Sequence, residues 1–175
     1  LPISSVGYGS WNHYSAQGDV SVPLNDDGSV RTRAVLSADY RDSFVDTVEN
    51  NNELGYVTLD ADINDDTFAS IGFSHEHKDF VPYNGLPADS NGKLLDVSRS
   101  TFSGAQWNNF ENTMDDVYFD LNHQFSDRTE GNLSFRFSNR NMNAFYAYTT
   151  SQESAALTDS YRQLERKSVV KGKRG

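Results

Sequence analysis

Cysteine is absent from all 175 residues, which removes disulfides and thiolate metal sites and leaves the compartment open. Also absent is any run of about eighteen apolar residues, so no helix is expected to cross a membrane. That does not exclude a membrane barrel, in which half of every strand faces a wet lumen. Basic residues are scarce: 15 Lys and Arg stand against 25 Asp and Glu, for a formal net charge of −10. Phosphate binding needs a basic patch, so nucleic acid is not expected as a partner. There is no Gly-rich phosphate loop, nucleophile elbow or helped pair of catalytic carboxylates, and enzymatic activity is not expected. The chain has no initiator methionine and no leader; it opens on Leu1-Pro2-Ile3 as though within a strand, and reads as a piece of something longer.

What the chain does have is period-two alternation. Val57, Leu59, Ala61 and Ile63 share one face of a strand, with Tyr56, Thr58, Asp60 and Asp62 on the other. Val117, Phe119, Leu121, His123 and Phe125 repeat this opposite Asp116, Tyr118, Asp120, Asn122 and Gln124. Leu133, Phe135 and Phe137 do so opposite Asn132, Ser134, Arg136 and Ser138. About seven such stretches predict an all-β protein with one greasy and one wet face per strand. A soluble half-buried sheet, as in a β-sandwich or carbohydrate-binding domain, would alternate in the same way.

The connections favour a barrel. Tight polar turns follow Leu24 (Asn25, Asp26, Asp27, Gly28), Ile63 (Asn64, Asp65, Asp66) and Phe125 (Ser126, Asp127, Arg128). Longer segments run from about Asp46 to Glu53, from His77 to Met114, and beyond Arg140. With antiparallel neighbours, every short turn falls at one end and every long loop at the other, as in transmembrane β-barrels. A first strand is predicted at about Ser4 to Tyr8, a second from Tyr14 to Leu24 and a third from Val30 to about Phe44. Ala16, Gly18, Val20, Val22, Thr32, Ala34, Leu36, Ala38 and Tyr40 would face lipid. Gln17, Asp19, Ser21, Arg31, Arg33, Ser37, Asp39 and Arg41 would face the lumen. Tyr8, Tyr14, Tyr40, Phe73 and His75 are expected near strand ends, as an aromatic girdle.

Two motifs invite a metal and lose it on inspection. Asp60 to Asp66 mimics the start of a calcium loop, but Asp65 stands where glycine is needed and Ile71 where the bidentate glutamate is needed. His75-Glu76-His77 places two imidazoles on one face, which an interfacial strand end explains without a metal. The last ten residues, 166–175 (RKSVVKGKRG), carry five of the fifteen basic residues and no acidic one. They resemble the translation of a sequencing adapter and read as a non-native tail. Residues 151–165 read as a loop or the start of a next strand.

At the N-terminal third the pattern becomes a resemblance. Gly9-Ser10-Trp11-Asn12-His13-Tyr14, followed by Gly18-Asp19-Val20-Ser21-Val22-Pro23-Leu24-Asn25-Asp26-Asp27-Gly28-Ser29-Val30-Arg31-Thr32-Arg33, resembles the segment just after the plug in TonB-dependent ferric-siderophore receptors of the outer membrane. The likeness continues through Asp39-Tyr40-Arg41-Asp42-Ser43-Phe44-Val45-Asp46, Leu59 to Asp62, Gly85-Leu86-Pro87, Asn91-Gly92, Ser98-Arg99-Ser100 and Trp107. It covers nearly everything from Gly9 to about Thr150.

The resemblance implies an antiparallel up-and-down transmembrane β-barrel, here incomplete: residues 1–150 would supply about seven of about 22 strands, with the plug domain absent. It implies import of a ferric siderophore in the bacterial outer membrane, driven by the TonB complex through the missing plug, with membrane lipid around the barrel. A passive porin remains the alternative within the membrane class. Iron would be carried by the chelator, so neither a cofactor nor protein metal ligands are expected. Rigid aromatics give contact area at low entropic cost, so Trp107 and Tyr83, then Phe110 and Tyr146, are the expected substrate contacts.

Overall fold

Every alternating stretch forms a strand, and each strand pairs with its sequence neighbours. The computed structural model describes residues 2–89, 91–149 and 161–170, with 148–149 and 161–170 described as backbone only. The strands are β1 Ile3–Gly9, β2 His13–Pro23, β3 Val30–Asp42, β4 Glu49–Asn64, β5 Thr67–Phe80, β6 Asn109–Ser126, β7 Thr129–Thr149 and β8 Tyr161–Val170. They form one sheet in the order β1 to β8, with all pairs antiparallel. It is an up-and-down sheet whose two edges, β1 and β8, are unpaired among the described residues.

The tight turns are built by their own side chains. Leu24 N–H donates to the Val30 carbonyl (2.7 Å), and Asn25 Oδ1 accepts from Val30 N–H (2.9 Å). Gly28 takes a positive φ of 72°, which a Cβ would disfavour. Asn64 Oδ1 accepts from Asp66 N–H at the β4–β5 turn, and Ser126 Oγ from Arg128 N–H at the β6–β7 turn. The ladder slips beside both turns, between Asp62 and Asn64 and between Gln124 and Ser126. These three turns lie at one end of the sheet. The other end carries Ser10 to Asn12, 43–48 and the long loop 81–108.

The register aligns the apolar positions into rows. Val20, Ala34, Val57, Phe73, Val117 and Phe137 are successive cross-strand partners, and so are Thr32, Leu59, Ile71, Phe119 and Phe135. A third row joins Val30, Ala61, Ala69, Leu121 and Leu133. On β6 this belt runs from Val117 to Phe125, which at about 3.3 Å per residue and a tilt of about 40° rises about 20 Å, close to the apolar band of outer-membrane barrels. Among the described residues nothing covers the belt: Val57, Leu59 and Val117 are 45%, 43% and 36% exposed. A sandwich would bury these residues in a core. Among the described residues the buried apolar ones are instead Val45, Val81, Ala144 and Ala147, all near the loop end.

The opposite face is a polar lattice. Arg33 forks onto Asp19 (2.9 and 2.6 Å), and Arg31 reaches Asp62. Asp60 Oδ1 accepts from the Thr58 and Ser70 hydroxyls, so the calcium-like acidic run is a strand end tied into this lattice. Arg136 forks onto Asp116 (3.2 and 2.8 Å) and lies 5.1 Å over the Tyr118 ring. Ser138 donates to the same Asp116 carboxylate, which is 6% exposed.

The strands outrun the expectation at the loop end. β5 continues to Phe80, β6 starts at Asn109 and β7 runs to Thr149, so the long loop is 81–108 rather than 77–114 and strand continues past Arg140. The ladder persists because it satisfies the backbone wherever a neighbour exists. The alternation fades because above the belt both faces are wet. Phe73 and His75 therefore lie within β5 rather than at its end, with Phe73 on the last apolar row and His75 bonded to Asp115. Tyr8, Tyr14 and Tyr40 do form a continuous cross-strand row, with the first two rings 5.2 Å apart. β8 takes in residues 161–165 and 166–170; residues 151–160 and 171–175, from the expected loop and tail, lie outside the described residues.

Candidate functional site

The extension of β5, β6 and β7 beyond the belt raises a wall, and its inward face is aromatic. Even-numbered residues of these strands share the face of Asp116 and Tyr118, so Phe80, Phe110, Ala144 and Tyr146 stand on that face near the rim. The Phe80 and Phe110 rings stack with centroids 5.3 Å apart, and Phe110 and Tyr146 meet at 5.2 Å. Lys78 places its ammonium 5.4 Å from the Phe80 ring, adding a cation to the apolar surface.

Trp107 and Tyr83 occupy the long loop. Asn108 N–H donates to the Ala105 carbonyl (2.9 Å), closing a turn with Trp107 at its third position and 51% exposed. Tyr83 is half-buried near the start of the loop. The structure thus brings Phe110 and Tyr146 of the four expected residues into ring contact and carries Trp107 and Tyr83 on the loop. The loop is tied at several points. Val81 N–H donates to the Glu49 carbonyl, Asp46 N–H to the Ser100 carbonyl and Ser103 Oγ to the Gly85 carbonyl.

Two features escaped the sequence reading. Phe80 is legible as an aromatic, but the sequence pattern places it in the long loop, which hides its position on the inward wall beside Phe110. A concavity of about 490 Å3 also opens between the β1–β2 turn and the 43–48 loop, lined by Trp11, His13, Arg41, Phe44 and Asn50 among others. Trp11 and Asn12 there adopt positive φ values of 57° and 50°, uncommon for non-glycine residues. The turn is held by β3: Asp42 N–H donates to the Trp11 carbonyl, and Asn12 Nδ2 donates to Asp42 (2.7 Å). Trp11 meets Phe44 edge-on at 6.3 Å, and Arg99 lies 5.3 Å over the Phe44 ring. A Trp in a polar turn signals only a turn; the return of Phe44 to it depends on the β3–β4 connection.

His75 and His77 point outward from β5. His75 Nδ1 bonds Asp115 (2.7 Å), and His77 Nδ1 faces Thr113 Oγ1 at 3.4 Å. Each ring thus has a cross-strand partner at the upper edge of the belt, in keeping with an interfacial position.

No protein-family model matches the chain. Curated relatives do. The ferric-pyoverdine M114 receptor PbuA of Pseudomonas sp. (strain M114) is 34% identical over 145 residues, covering 82% of this chain and 18% of the relative. The ferripyoverdine receptor of Pseudomonas aeruginosa is 36% identical over 132 residues, covering 73% of this chain and 16% of the relative. The chain thus spans less than a fifth of the length of these relatives. Among solved structures, the pyoverdine outer-membrane receptor FpvA from Pseudomonas aeruginosa bound to pyoverdine superposes with a TM-score of 0.84 at 28% identity, over 93% of this chain and 24% of that one. The ferric-catecholate import receptor Fiu of E. coli shares the fold at a TM-score of 0.78 and 15% identity, over 93% of this chain and 26% of that one. The ordered motifs, the unclosed up-and-down sheet and these relatives agree: the chain is a stretch of β-barrel belonging to the TonB-dependent ferric-siderophore receptors.

Proposed function

We propose that the protein containing this barrel stretch is an outer-membrane receptor that binds a ferric siderophore of the pyoverdine class and imports it. The energy would come from the TonB complex acting through a plug inside the barrel. The observation that carries the reading is the identity with two ferric-pyoverdine receptors along most of the chain, including the segment with the aromatic wall. The stacked Phe80 and Phe110, the neighbouring Tyr146 and the exposed Trp107 suit a bulky chelate with flat surfaces and amide edges. Lys78 beside Phe80 suits an anionic one. Iron is cargo held by the chelator, so this stretch acts by shape, stacking and charge. In this reading Trp107, Phe110 and Tyr146 contact the ligand, and Tyr83 contacts it from the loop.

The test uses the full-length gene in a bacterial strain lacking its own pyoverdine receptor. Uptake of radio-iron as ferric pyoverdine should appear with the gene and vanish when TonB is deleted, while binding to cells persists. Trp107→Ala and Phe110→Ala should each weaken binding about tenfold, the scale of one lost aromatic contact. Uptake that continues without TonB would replace the receptor by a porin. Recovery of the protein in the soluble fraction would remove the membrane assignment.

A further inference from the structure

Asn108, the last residue of the long loop, is 3% exposed and makes two side-chain hydrogen bonds to a single residue of β7. Its Nδ2 donates to the Ala147 carbonyl (2.9 Å), and its Oδ1 accepts from the Ala147 N–H (2.7 Å). The β6–β7 ladder ends at Asn109 and Phe145, so the Asn108 amide takes the place of the next peptide group. A primary amide presents one donor and one acceptor side by side, as a paired strand does, and it fits only when both are satisfied. Gly104 completes the fit from the loop side: a Cβ there would lie 2.4 Å from Asn108 Nδ2 and 2.6 Å from the Phe102 ring.

We infer that Asn108 is the positioning residue of the binding rim, clamping the long loop to β7 so that the backbone carrying Trp107 is held at a fixed place relative to the backbone carrying Tyr146. The role rests on the siderophore reading for its functional consequence, but the clamp itself is independent of it. Trp107 precedes Asn108 and Tyr146 precedes Ala147, so the clamp fixes the backbone beside one expected contact to the backbone beside another. Asn108 also closes the turn carrying Trp107 through its own N–H. Losing the side chain leaves both polar groups of Ala147 unpaired and frees the end of an otherwise anchored loop. A rim held in this way presents Trp107 already ordered, which lowers the entropic cost of binding.

The experiment places a nitroxide on Gln106→Cys, an exposed neighbour, in the full-length receptor with any other cysteines replaced, and adds purified ferric pyoverdine as the probe. Asn108→Ala should convert an immobilised spectrum into a mobile one and raise Kd about tenfold, with insertion and resistance to heat on gels unchanged. Asn108→Asp keeps the acceptor for Ala147 N–H but sets an oxygen against the Ala147 carbonyl, so it should fall between wild type and alanine. Gly104→Ala should reproduce the mobile spectrum by displacing the amide. If Asn108→Ala fails to insert, the spectra of Asn108→Asp and Gly104→Ala decide. An immobile spectrum in these variants, or an unchanged Kd once the spectrum is mobile, overturns the positioning role. Should the wild type ignore ferric pyoverdine while the spectra respond as described, the siderophore reading falls and the clamp stands.

Discussion

Asp116 shows how one residue can hold a sheet face together. Its carboxylate receives Arg136, Ser138 and Tyr118 from the same face, and among the described residues Arg136 is the cation that neutralises it. Arg136→Met would leave the Asp116 carboxylate with hydroxyl donors alone, and we expect a loss of stability. Denaturant unfolding of the full-length receptor in detergent would measure it, and Asp116→Asn with Arg136 intact should cost less. Asp27 offers a pH test outside the membrane-spanning strands. The Ser29 backbone N–H, and then the Ser29 hydroxyl, donate to its carboxylate and hold its pKa below the usual range. A depressed folded pKa means that the turn's stabilisation is present above the ordinary carboxylate range and is lost as pH falls through the folded value. Ser29→Ala keeps the larger backbone contribution, so the Asp27 midpoint, followed by carboxyl NMR, should rise only part-way towards the ordinary value.

At the scale of elements, the sequence was most legible where one face of a strand meets hydrocarbon. From Val117 to Leu121 alternation follows from lipid on one side and water on the other, and the expected facing matches the observed rows. Substituting single cysteines through 116–125 of the full-length protein in outer membrane should therefore give period-two labelling. Lipid-soluble probes should reach Val117, Phe119 and Leu121, and aqueous probes Tyr118, Asp120 and Asn122; uniform aqueous labelling would defeat the membrane assignment. Legibility failed just above the belt. Asn139, Asn141 and Asn143 on β7 are polar on a face that was apolar at Phe137, so the alternation stopped while the ladder continued. That boundary hid the inward wall, because placing Phe80 opposite Phe110 requires knowing that both strands extend that far. The aromatic residues of the site were visible as types; their partners depended on long-range register, which no local pattern records.

At the scale of the whole molecule the decisive quantity is edge. This stretch supplies eight strands, whereas receptors of its family close at about 22, and β1 and β8 each present a row of backbone donors and acceptors. In hydrocarbon every unpaired backbone group costs several kcal/mol, so the sheet cannot rest in a bilayer with two such rows exposed. Water is no refuge, because the belt of Val57, Phe73, Phe119, Phe135 and Phe137 would then face solvent, and the described residues form a single sheet with no second layer to cover it. The missing strands thus supply closure, and with it both the hydrogen bonds of the edges and the curvature that separates lumen from lipid. We therefore expect the 175-residue chain, expressed alone, to aggregate and to give no heat-resistant band when refolded into detergent micelles. The full-length receptor should give one that collapses on boiling. Gel mobility with and without boiling distinguishes these outcomes, and a monomeric, heat-resistant species from the short chain would show that eight strands close on themselves.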